Sequence, residues 1–252
     1  MDRDREIKRV VRKRYSQLAV SVSSCCPPAS AAAPDSLERR QERAAEQYGQ
    51  EALCHLPDAV IGASAGCGNP VALALLQPGQ VVVDLGSGGG IDVFLSAEKV
   101  GPQGRAIGVD MTPEMIRLAR ENALQMGVTN VEFRLGEMEK LPLEKESADM
   151  VISNCVINLS PDKDAVFREA FRVLKPGGRL VISDIVLPED IPHEIRQSWE
   201  AWTACVAGAL REEVYLEKIQ SAGFKDVSVV IRRAREYQGY QLSSITVTGG
   251  KL

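Results

Sequence analysis

The sequence of 252 residues has little of what defines several large classes of protein. No apolar run approaches the ~20 residues that a membrane-spanning helix requires, so no membrane partner is expected. The 34 Asp and Glu residues outnumber the 30 Lys and Arg residues, and the resulting net charge of -4 disfavours a nucleic-acid partner. Acids are mixed with bases at the N-terminus and no apolar segment follows them, so neither a signal peptide nor a typical transit peptide is predicted. We therefore expect a cytoplasmic protein.

Histidine is scarce, whereas cysteine is more frequent than such a chain needs. The two histidines, His55 and His193, do not follow predicted strands, and lone histidines are more often structural or solvated than catalytic. The six cysteines are Cys25, Cys26, Cys54, Cys67, Cys155 and Cys205. Their spacings lack the Cys-x2-Cys pairs of zinc sites, and structural disulfides are not expected in a reducing compartment. Any single one is most simply a small buried hydrophobe or a surface thiol, but the set requires an explanation.

The N-terminal part of the chain differs in composition from the rest. Apolar residues at helical spacing predict an amphipathic helix over residues 4–19. Residues 21–35 are rich in Ser, Ala, Pro and Cys, and we expect this segment to be mobile. A second helix is predicted from Ser36 to Tyr48. The sequence shows no internal repeat, and we divide it into an N-terminal region, residues 1–57, and a main domain, residues 58–252.

Short apolar β-branched runs alternate with helical segments in the main domain. The predicted strands are 81–85, 106–109, 131–135, 150–153 and 180–183, followed by 227–230 and 244–247. Helix caps are predicted at Thr112-Pro113 and Gly127 for one helix, and at Ser160-Pro161 and Pro176-Gly177-Gly178 for another. This pattern predicts an α/β fold with a doubly wound, mostly parallel sheet and an antiparallel closing strand. Ligands are expected where the parallel strands end.

A glycine-rich loop follows the first predicted strand. Gly86, Ser87 and Gly88 begin the loop, in which glycines let the backbone approach a ligand at a helix N-terminus. The dinucleotide pattern G-x-G-x-x-G/A fails because Ile91 stands at its last position. Asp84, just before the loop, is unsuited to a pyrophosphate but suits an ammonium group, such as that of S-adenosylmethionine.

Further candidate cofactor residues follow the second and third strands. Asp110 ends the second strand, where a carboxylate can accept hydrogen bonds from both ribose hydroxyls. After the third strand, Met138 is suited to cover an adenine face and Glu139 to accept from its exocyclic amine. Asp84, Asp110 and Glu139 in this order resemble the motif set of the class I Rossmann-like methyltransferases.

The fourth strand ends in a thiol, which is unusual for methylation of oxygen or nitrogen, where a general base is needed. Cys155 lies in Ser-Asn-Cys-Val-Ile-Asn-Leu-Ser-Pro-Asp-Lys, which includes Asn154, and Cys67 lies in Gly-Cys-Gly-Asn-Pro. Cys205 lies in Thr-Ala-Cys-Val-Ala-Gly-Ala, and Asp110 and Met111 lie in Val-Asp-Met-Thr. These four stretches resemble the arsenite S-adenosylmethionine methyltransferases, and the similarity covers residues 58–228.

The resemblance implies a set of roles for the cysteines. Cys67, Cys155 and Cys205 would bind trivalent arsenic, and Cys25 or Cys26 would take part in thiol and disulfide exchange. The substrate would be arsenite or its thiol conjugates, with S-adenosylmethionine as the methyl donor and a thiol reductant such as glutathione or thioredoxin. Arsenic is a soft centre that prefers thiolates, and its lone pair is the nucleophile, so no base is needed. Catalysis then depends mainly on positioning.

The chain departs from that family in three ways. Many relatives extend beyond this C-terminus, so the chain is similar to a short form. Cys54 matches no family ligand and is expected to be a packed or surface thiol. The prolines and alanines around Cys25 and Cys26 do not show which of the two matches the family's first cysteine.

Two other functions fit the same features. One is a methyltransferase for another small molecule or soft metalloid on the same scaffold. The other is a thiol-based metalloid-binding or sensing protein with a vestigial cofactor pocket, against which the intact glycine loop, Asp110 and Glu139 argue.

Overall fold

A mixed β-sheet forms the centre of the protein, which we describe from a computed structural model covering residues 2–23 and 36–252. The strands are β1 (Val81–Leu85), β2 (Arg105–Asp110), β3 (Val131–Leu135), β4 (Ala148–Asn154), β5 (Leu174–Leu187), β6 (Leu210–Arg211), β7 (Lys225–Tyr237) and β8 (Tyr240–Gly250). Their order is β3-β2-β1-β4-β5-β8-β7, and β6 pairs with β5. β1 to β5 are parallel, whereas β8 runs antiparallel to both β5 and β7. The predicted fold class is confirmed.

Helices cover both faces of the sheet and the edge at which the parallel strands end. The helices are α1 (Asp2–Ser23), α2 (Leu37–Tyr48), α3 (Gln50–Leu53), α4 (Asp58–Gly62), α5 (Pro70–Leu73), α6 (Ile91–Val100), α7 (Pro113–Met126), α8 (Lys163–Val173), α9 (His193–Gln197), α10 (Trp199–Thr203) and α11 (Glu212–Ser221). A 3-10 turn, Ile157–Leu159, follows β4. No helix among residues 2–23 and 36–252 has the length and apolarity needed to cross a bilayer.

The core has two main parts because successive strand residues face opposite sides of the sheet. Val82 of β1 belongs to a cluster with Phe94 of α6. Its neighbour Val83 belongs to the cluster on the other face, with Phe167 of α8 and Tyr215 of α11. Strands buried on both faces need continuous apolar runs, which is why the strand positions could be read from the sequence.

Several predicted boundaries are confirmed and others are wrong. Ser36 caps α2 by accepting from the Arg39 N–H at 3.3 Å, and Gly127, whose φ is +66°, is the C-cap of α7. The first helix continues to Ser23, beyond the predicted end at residue 19, and the Ser21 hydroxyl donates to the Leu18 carbonyl within it. The rest of the segment predicted to be mobile, residues 24–35, lies outside the described residues. The two-part division at residue 57 stays a prediction.

The predicted start of α8 at Ser160-Pro161 is wrong. Asp162 caps this helix by accepting from the Ala165 N–H at 2.9 Å. The Ser160 hydroxyl instead donates to the Glu139 carboxylate at 2.6 Å, so it does not cap the helix. The helix ends at Val173, and the Pro-Gly-Gly at residues 176–178 lies in the first part of β5.

Candidate active site

A cavity of about 940 Å³ lies where β1, β2 and β4 end. All nine residues predicted to bind a cofactor line it: Asp84, Gly86, Ser87, Gly88, Asp110, Met111, Met138, Glu139 and Asn154. We call it the cofactor cavity. The sequence placed these residues after different strands, and the fold brings them to one edge of the sheet because parallel strands end on the same side.

The glycine loop lines the cavity, and its first residue, Gly86, has no room for a side chain. Gly86 has a φ of +67°, and a Cβ there would lie 2.3 Å from Val156. The Gly88 N–H donates to Asp110 Oδ2 at 2.9 Å, and the Thr112 N–H donates to Asp110 Oδ1 at 2.8 Å. These two bonds fix the Asp110 carboxylate at the cavity wall and leave further lone pairs for a ligand.

Asp84 is a buried carboxylate that forms no ion pair with any described residue. It is 3% exposed and makes no side-chain hydrogen bond or ion pair with the described residues. Burial, followed by the charges of Asp92 and Asp110, raises the pKa of Asp84 well above its usual value. A ligand with an ammonium group would relieve this repulsion, because an opposite charge favours the ionised carboxylate.

Glu139 connects the cavity to the first helix. Lys8 of α1 pairs with Glu139 at 3.0 Å and with Glu137 at 2.7 Å, and Glu139 Oε1 also accepts from Ser160. Lys8, Val11 and Tyr15 of α1 line the cofactor cavity beside Met138. α1 therefore covers the cavity. The sequence of a helix shows which of its faces is apolar but not which part of the fold that face contacts, so this position could not be predicted.

Asn154 is engaged within the protein. Its Oδ1 accepts from the Cys67 N–H at 2.9 Å, and its Nδ2 donates to the Tyr48 hydroxyl at 2.7 Å and to the Gly68 carbonyl at 2.8 Å. Tyr48 in turn donates to the Asp92 carboxylate at 2.9 Å. Cofactor binding by Asn154 stays a prediction, and the contacts assign it a second task, which is to hold the loop that carries Cys67.

Tyr48 and Asp92 were not identified from the sequence. Burial raises the pKa of Asp92 to about 6, although the hydrogen bonds from Asn154 and Tyr48 act in the opposite direction. The one local signal for Asp92 is its place as the second residue of α6. Acidic residues are common in the first turn of any helix, so this place alone does not indicate a functional role.

Three cysteines far apart in the sequence share one buried cluster. Cys67, Cys155 and Cys205 are 7%, 7% and 4% exposed and pack together with Trp202. The Cys205 thiol donates to the Cys155 carbonyl at 2.9 Å. Hydrogen bonding with the Cys205 and Cys67 thiols, followed by burial, raises the pKa of Cys155 well above its usual value. The predicted ligand set is thus brought together.

The remaining cysteines and histidines differ from these three. Cys54 is exposed, and its thiol donates to the Glu51 carbonyl, while Cys25 and Cys26 lie outside the described residues. His55 pairs with Glu98 at 3.3 Å, and His193 begins α9. Within the described ranges, no group of three His, Cys, Asp or Glu side chains is arranged to hold a metal ion. The case for a substrate role of Cys67, Cys155 and Cys205 consists of their shared buried cluster and the hydrogen bond from the Cys205 thiol to the Cys155 carbonyl.

A second, open groove of about 2580 Å³ reaches the thiols from the other side. Cys67, Cys155 and Cys205 line this groove together with residues of α1, α2 and β7. Tyr15 and Cys155 line both the groove and the cofactor cavity. Cys155 therefore lies at the junction between a candidate cofactor site and a candidate substrate site.

The fold and the cavity are those of a methyltransferase, and residues 76–236 match the family described as Methyltransferase domain. A solved arsenic(III) S-adenosylmethionine methyltransferase from Chlamydomonas reinhardtii is similar, with 35% identity and a TM-score of 0.72 over 79% of this chain and 72% of that one. This chain belongs to the arsenite S-adenosylmethionine methyltransferase family.

Curated relatives agree with this assignment. The chain is 43% identical to the arsenite methyltransferase of Halobacterium salinarum, over 90% of this chain and 60% of that protein. It is 31% identical to the human arsenite methyltransferase, over 96% of this chain and 64% of that protein. The chain thus spans less than two thirds of the length of these two relatives.

Proposed function

We propose that this protein transfers a methyl group from S-adenosylmethionine to trivalent arsenic bound by Cys67, Cys155 and Cys205. The observation that carries the proposal is the position of Cys155, which lines both the cofactor cavity and the groove that reaches the other two thiols. Methyl transfer requires donor and acceptor to meet, and this is where the two candidate sites meet.

The residues of the cofactor cavity fit S-adenosylmethionine. The buried carboxylate of Asp84 pairs with no cation among the described residues and suits the ammonium group of the cofactor, while the carboxylate of Asp110, held by two main-chain N–H groups, suits the ribose hydroxyls. Met138 provides an apolar surface for the adenine. When bound, S-adenosylmethionine supplies an electrophilic methyl group on a sulfonium sulfur.

The thiol cluster fits a soft trivalent substrate. Three sulfurs complete a pyramid around arsenic and leave its lone pair free, so the lone pair can act as the nucleophile. Because the lone pair carries no proton, the reaction needs no general base, and neither histidine lines the cofactor cavity or the groove. The work of the chain is to hold the arsenic and to exclude water from the junction.

After methyl transfer, the arsenic must be reduced. Forming the arsenic–carbon bond uses the lone pair and breaks the methyl–sulfonium bond, whose electrons stay on the departing thioether, S-adenosylhomocysteine. Arsenic is then formally pentavalent, and two thiols restore the trivalent state by giving up two electrons and two protons as they form a disulfide. The resulting disulfide is reduced by exchange with a thiol reductant of the glutathione or thioredoxin type. We assign Cys25 or Cys26 to this redox step, and we place the reaction in the cytoplasm, where such reductants are maintained.

The test is an incubation of the full chain with arsenite, a dithiol and methyl-labelled S-adenosylmethionine, with products separated by the number of methyl groups. Labelled methylarsenic species are expected. Tight arsenite binding without labelled product would instead indicate a metalloid-binding protein. A label that appears on other small-molecule acceptors, but not on arsenic, would indicate a methyltransferase of different specificity.

A further inference from the structure

The backbone at Cys155 and Cys205 has an unusual conformation. Cys155 has a φ of +59° and Cys205 a φ of +62°, in the left-handed region that side chains other than glycine rarely adopt. Cys155 follows β4 directly, and Cys205 follows the end of α10. Residues persist in this region only when their surroundings over-determine it, so contacts with the rest of the fold must hold these two loops.

A buried polar cluster lies directly beneath the Cys155 loop. Asn158, in the 3-10 turn after Cys155, donates through Nδ2 to Asp184 Oδ1 at 2.9 Å and to the Ile185 carbonyl at 2.7 Å. The Asn158 N–H also donates to Asp184 Oδ2 at 3.2 Å, and Tyr215 of α11 donates to the same oxygen at 3.2 Å. Asn158, Asp184 and Tyr215 are fully buried.

The same cluster continues into the main chain of Cys155. The Cys155 N–H donates to the carbonyl of Ser183 at 2.7 Å, and Ser183 is the residue before Asp184 on β5. Asn158 and Cys155 are therefore attached to adjacent residues of one central strand. The turn between them cannot shift without breaking bonds that are shielded from water, where an unpaired polar group is costly.

Asn158 also supports the loop that carries Cys205. A Cβ on Gly208 would lie 2.0 Å from the Asn158 carbonyl oxygen, so this loop rests directly on the Asn158 backbone. The Cys205 thiol reaches the Cys155 carbonyl from the same side. The two loops are thus docked against each other, and Asn158 lies at their contact.

We infer that Asn158, held by Asp184 and Tyr215, is a positioning residue that sets the spacing of the Cys155 and Cys205 thiols for simultaneous binding of one trivalent arsenic atom. This inference rests on the proposed function. Asn158 itself lines neither the cofactor cavity nor the groove, so its effect is transmitted through the two loops.

The experiment compares arsenite-loaded variants by X-ray absorption at the arsenic edge, which counts sulfur neighbours, and by arsenite titration. Asn158→Ala removes the two side-chain bonds, to Asp184 Oδ1 and to the Ile185 carbonyl, and leaves the main-chain N–H bond to Asp184 Oδ2. Gly208→Ala pushes the Cys205 loop away from the Asn158 main-chain carbonyl and keeps the Asn158 side chain. We expect three sulfur neighbours in the wild type and two in each variant, with an arsenite dissociation constant raised at least about tenfold. The affinity for S-adenosylmethionine should change less than the affinity for arsenite, since Asn158 itself does not line that cavity.

Matched controls are available in the chain. Asn122 is also a buried asparagine whose amide bonds a backbone carbonyl, that of Leu118 at 2.9 Å, but it lies in α7 away from the thiols. A Cβ at Gly249 would meet its nearest neighbour at 3.5 Å, an ordinary contact. Asn122→Ala and Gly249→Ala should both keep three sulfurs.

Three sulfurs in Asn158→Ala would overturn the inference, and if that variant fails to fold, three sulfurs in Gly208→Ala would do so. Methyl transfer by the wild type is measured in parallel. A wild type that binds arsenite through three sulfurs without methylating it contradicts the proposed function and leaves the comparison of variants valid. A wild type that binds no arsenite contradicts both.

Discussion

The Cys205 thiol donates a hydrogen bond to the main-chain carbonyl of Cys155 at 2.9 Å, although 50 residues separate them in the chain. This contact is buried and joins two loops whose cysteines both have left-handed backbones. It places one candidate arsenic ligand against the loop that carries another.

Replacing Cys155 or Cys205 by Ser should lower the rate of arsenic methylation by at least about 100-fold, because a hydroxyl is a poor ligand for a soft centre. The affinity for S-adenosylmethionine should stay within about twofold of wild type, and both quantities are measurable with labelled cofactor. Cys54→Ser is the control, since Cys54 is exposed and lines neither cavity, and its activity should be unchanged. Retained activity in both site variants would contradict the assignment of the thiols.

Asp84→Asn should have opposite effects on binding and on stability. Loss of the carboxylate should weaken S-adenosylmethionine binding by about 1.5–3 kcal/mol, the usual value of a hydrogen bond to a charged group. The cofactor-free protein should become more stable, because the variant no longer buries a carboxylate beside Asp92 and Asp110. Isothermal titration and thermal unfolding without cofactor measure the two effects.

Asp149→Asn is a suitable comparison for this variant, since Asp149 has a partner, Lys175, at 2.8 Å. It should not gain stability and should leave cofactor affinity unchanged. Unaltered affinity in Asp84→Asn would show that the ammonium group binds elsewhere.

Tyr15 should matter for the rate mainly through its ring. It lines both the cofactor cavity and the groove, and its hydroxyl has no hydrogen-bond partner among the described residues. Tyr15→Ala should open the junction to water and lower the single-turnover rate by about tenfold or more, because positioning at the reacting centre is lost. Tyr15→Phe keeps the ring and should stay within about threefold of wild type. A loss in Tyr15→Phe as large as in Tyr15→Ala would assign the role to the hydroxyl.

The unfolding free energy should contain a contribution that falls as the pH rises from about 4 to 7. Burial raises the pKa of Asp92 and of Asp184 from 3.8 to about 6, so the folded state holds these protons more tightly than the unfolded state. Each rise corresponds to about 3 kcal/mol in full, of which about 1 kcal/mol is lost between pH 5 and pH 7. Lys163 and Tyr215 face Asp184 and oppose the rise, but burial dominates.

Denaturant unfolding at pH 5 and pH 7 tests this contribution. Wild type should lose about 1 kcal/mol more than Asp92→Asn or Asp184→Asn over this interval. Equal losses in wild type and both variants would mean that these carboxyls titrate normally in the folded protein.

The sequence alone determined the fold class, the positions of the buried strands and the cofactor loop. Strands buried on both faces, such as 81–85, require continuous apolar runs, and the turn that follows β1 at Gly86 requires glycine, so both leave local signals. The motifs around Cys155 carried the family resemblance. The cap of α8 was misread because Ser160 and Asp162 are both good caps, and only the contact of Ser160 with Glu139 separates them.

Only the tertiary structure decided which residues meet. The clustering of Cys67, Cys155 and Cys205, the covering of the cofactor cavity by α1, and the support of two cysteine loops by Asn158 all join residues far apart in the chain. Asn154 was predicted as a cofactor residue, yet its amide holds the Cys67 loop through partners that no local pattern specifies. Hydrogen bonds and close packing between distant segments depend on how the sheet orders its strands, and that ordering is a property of the whole fold.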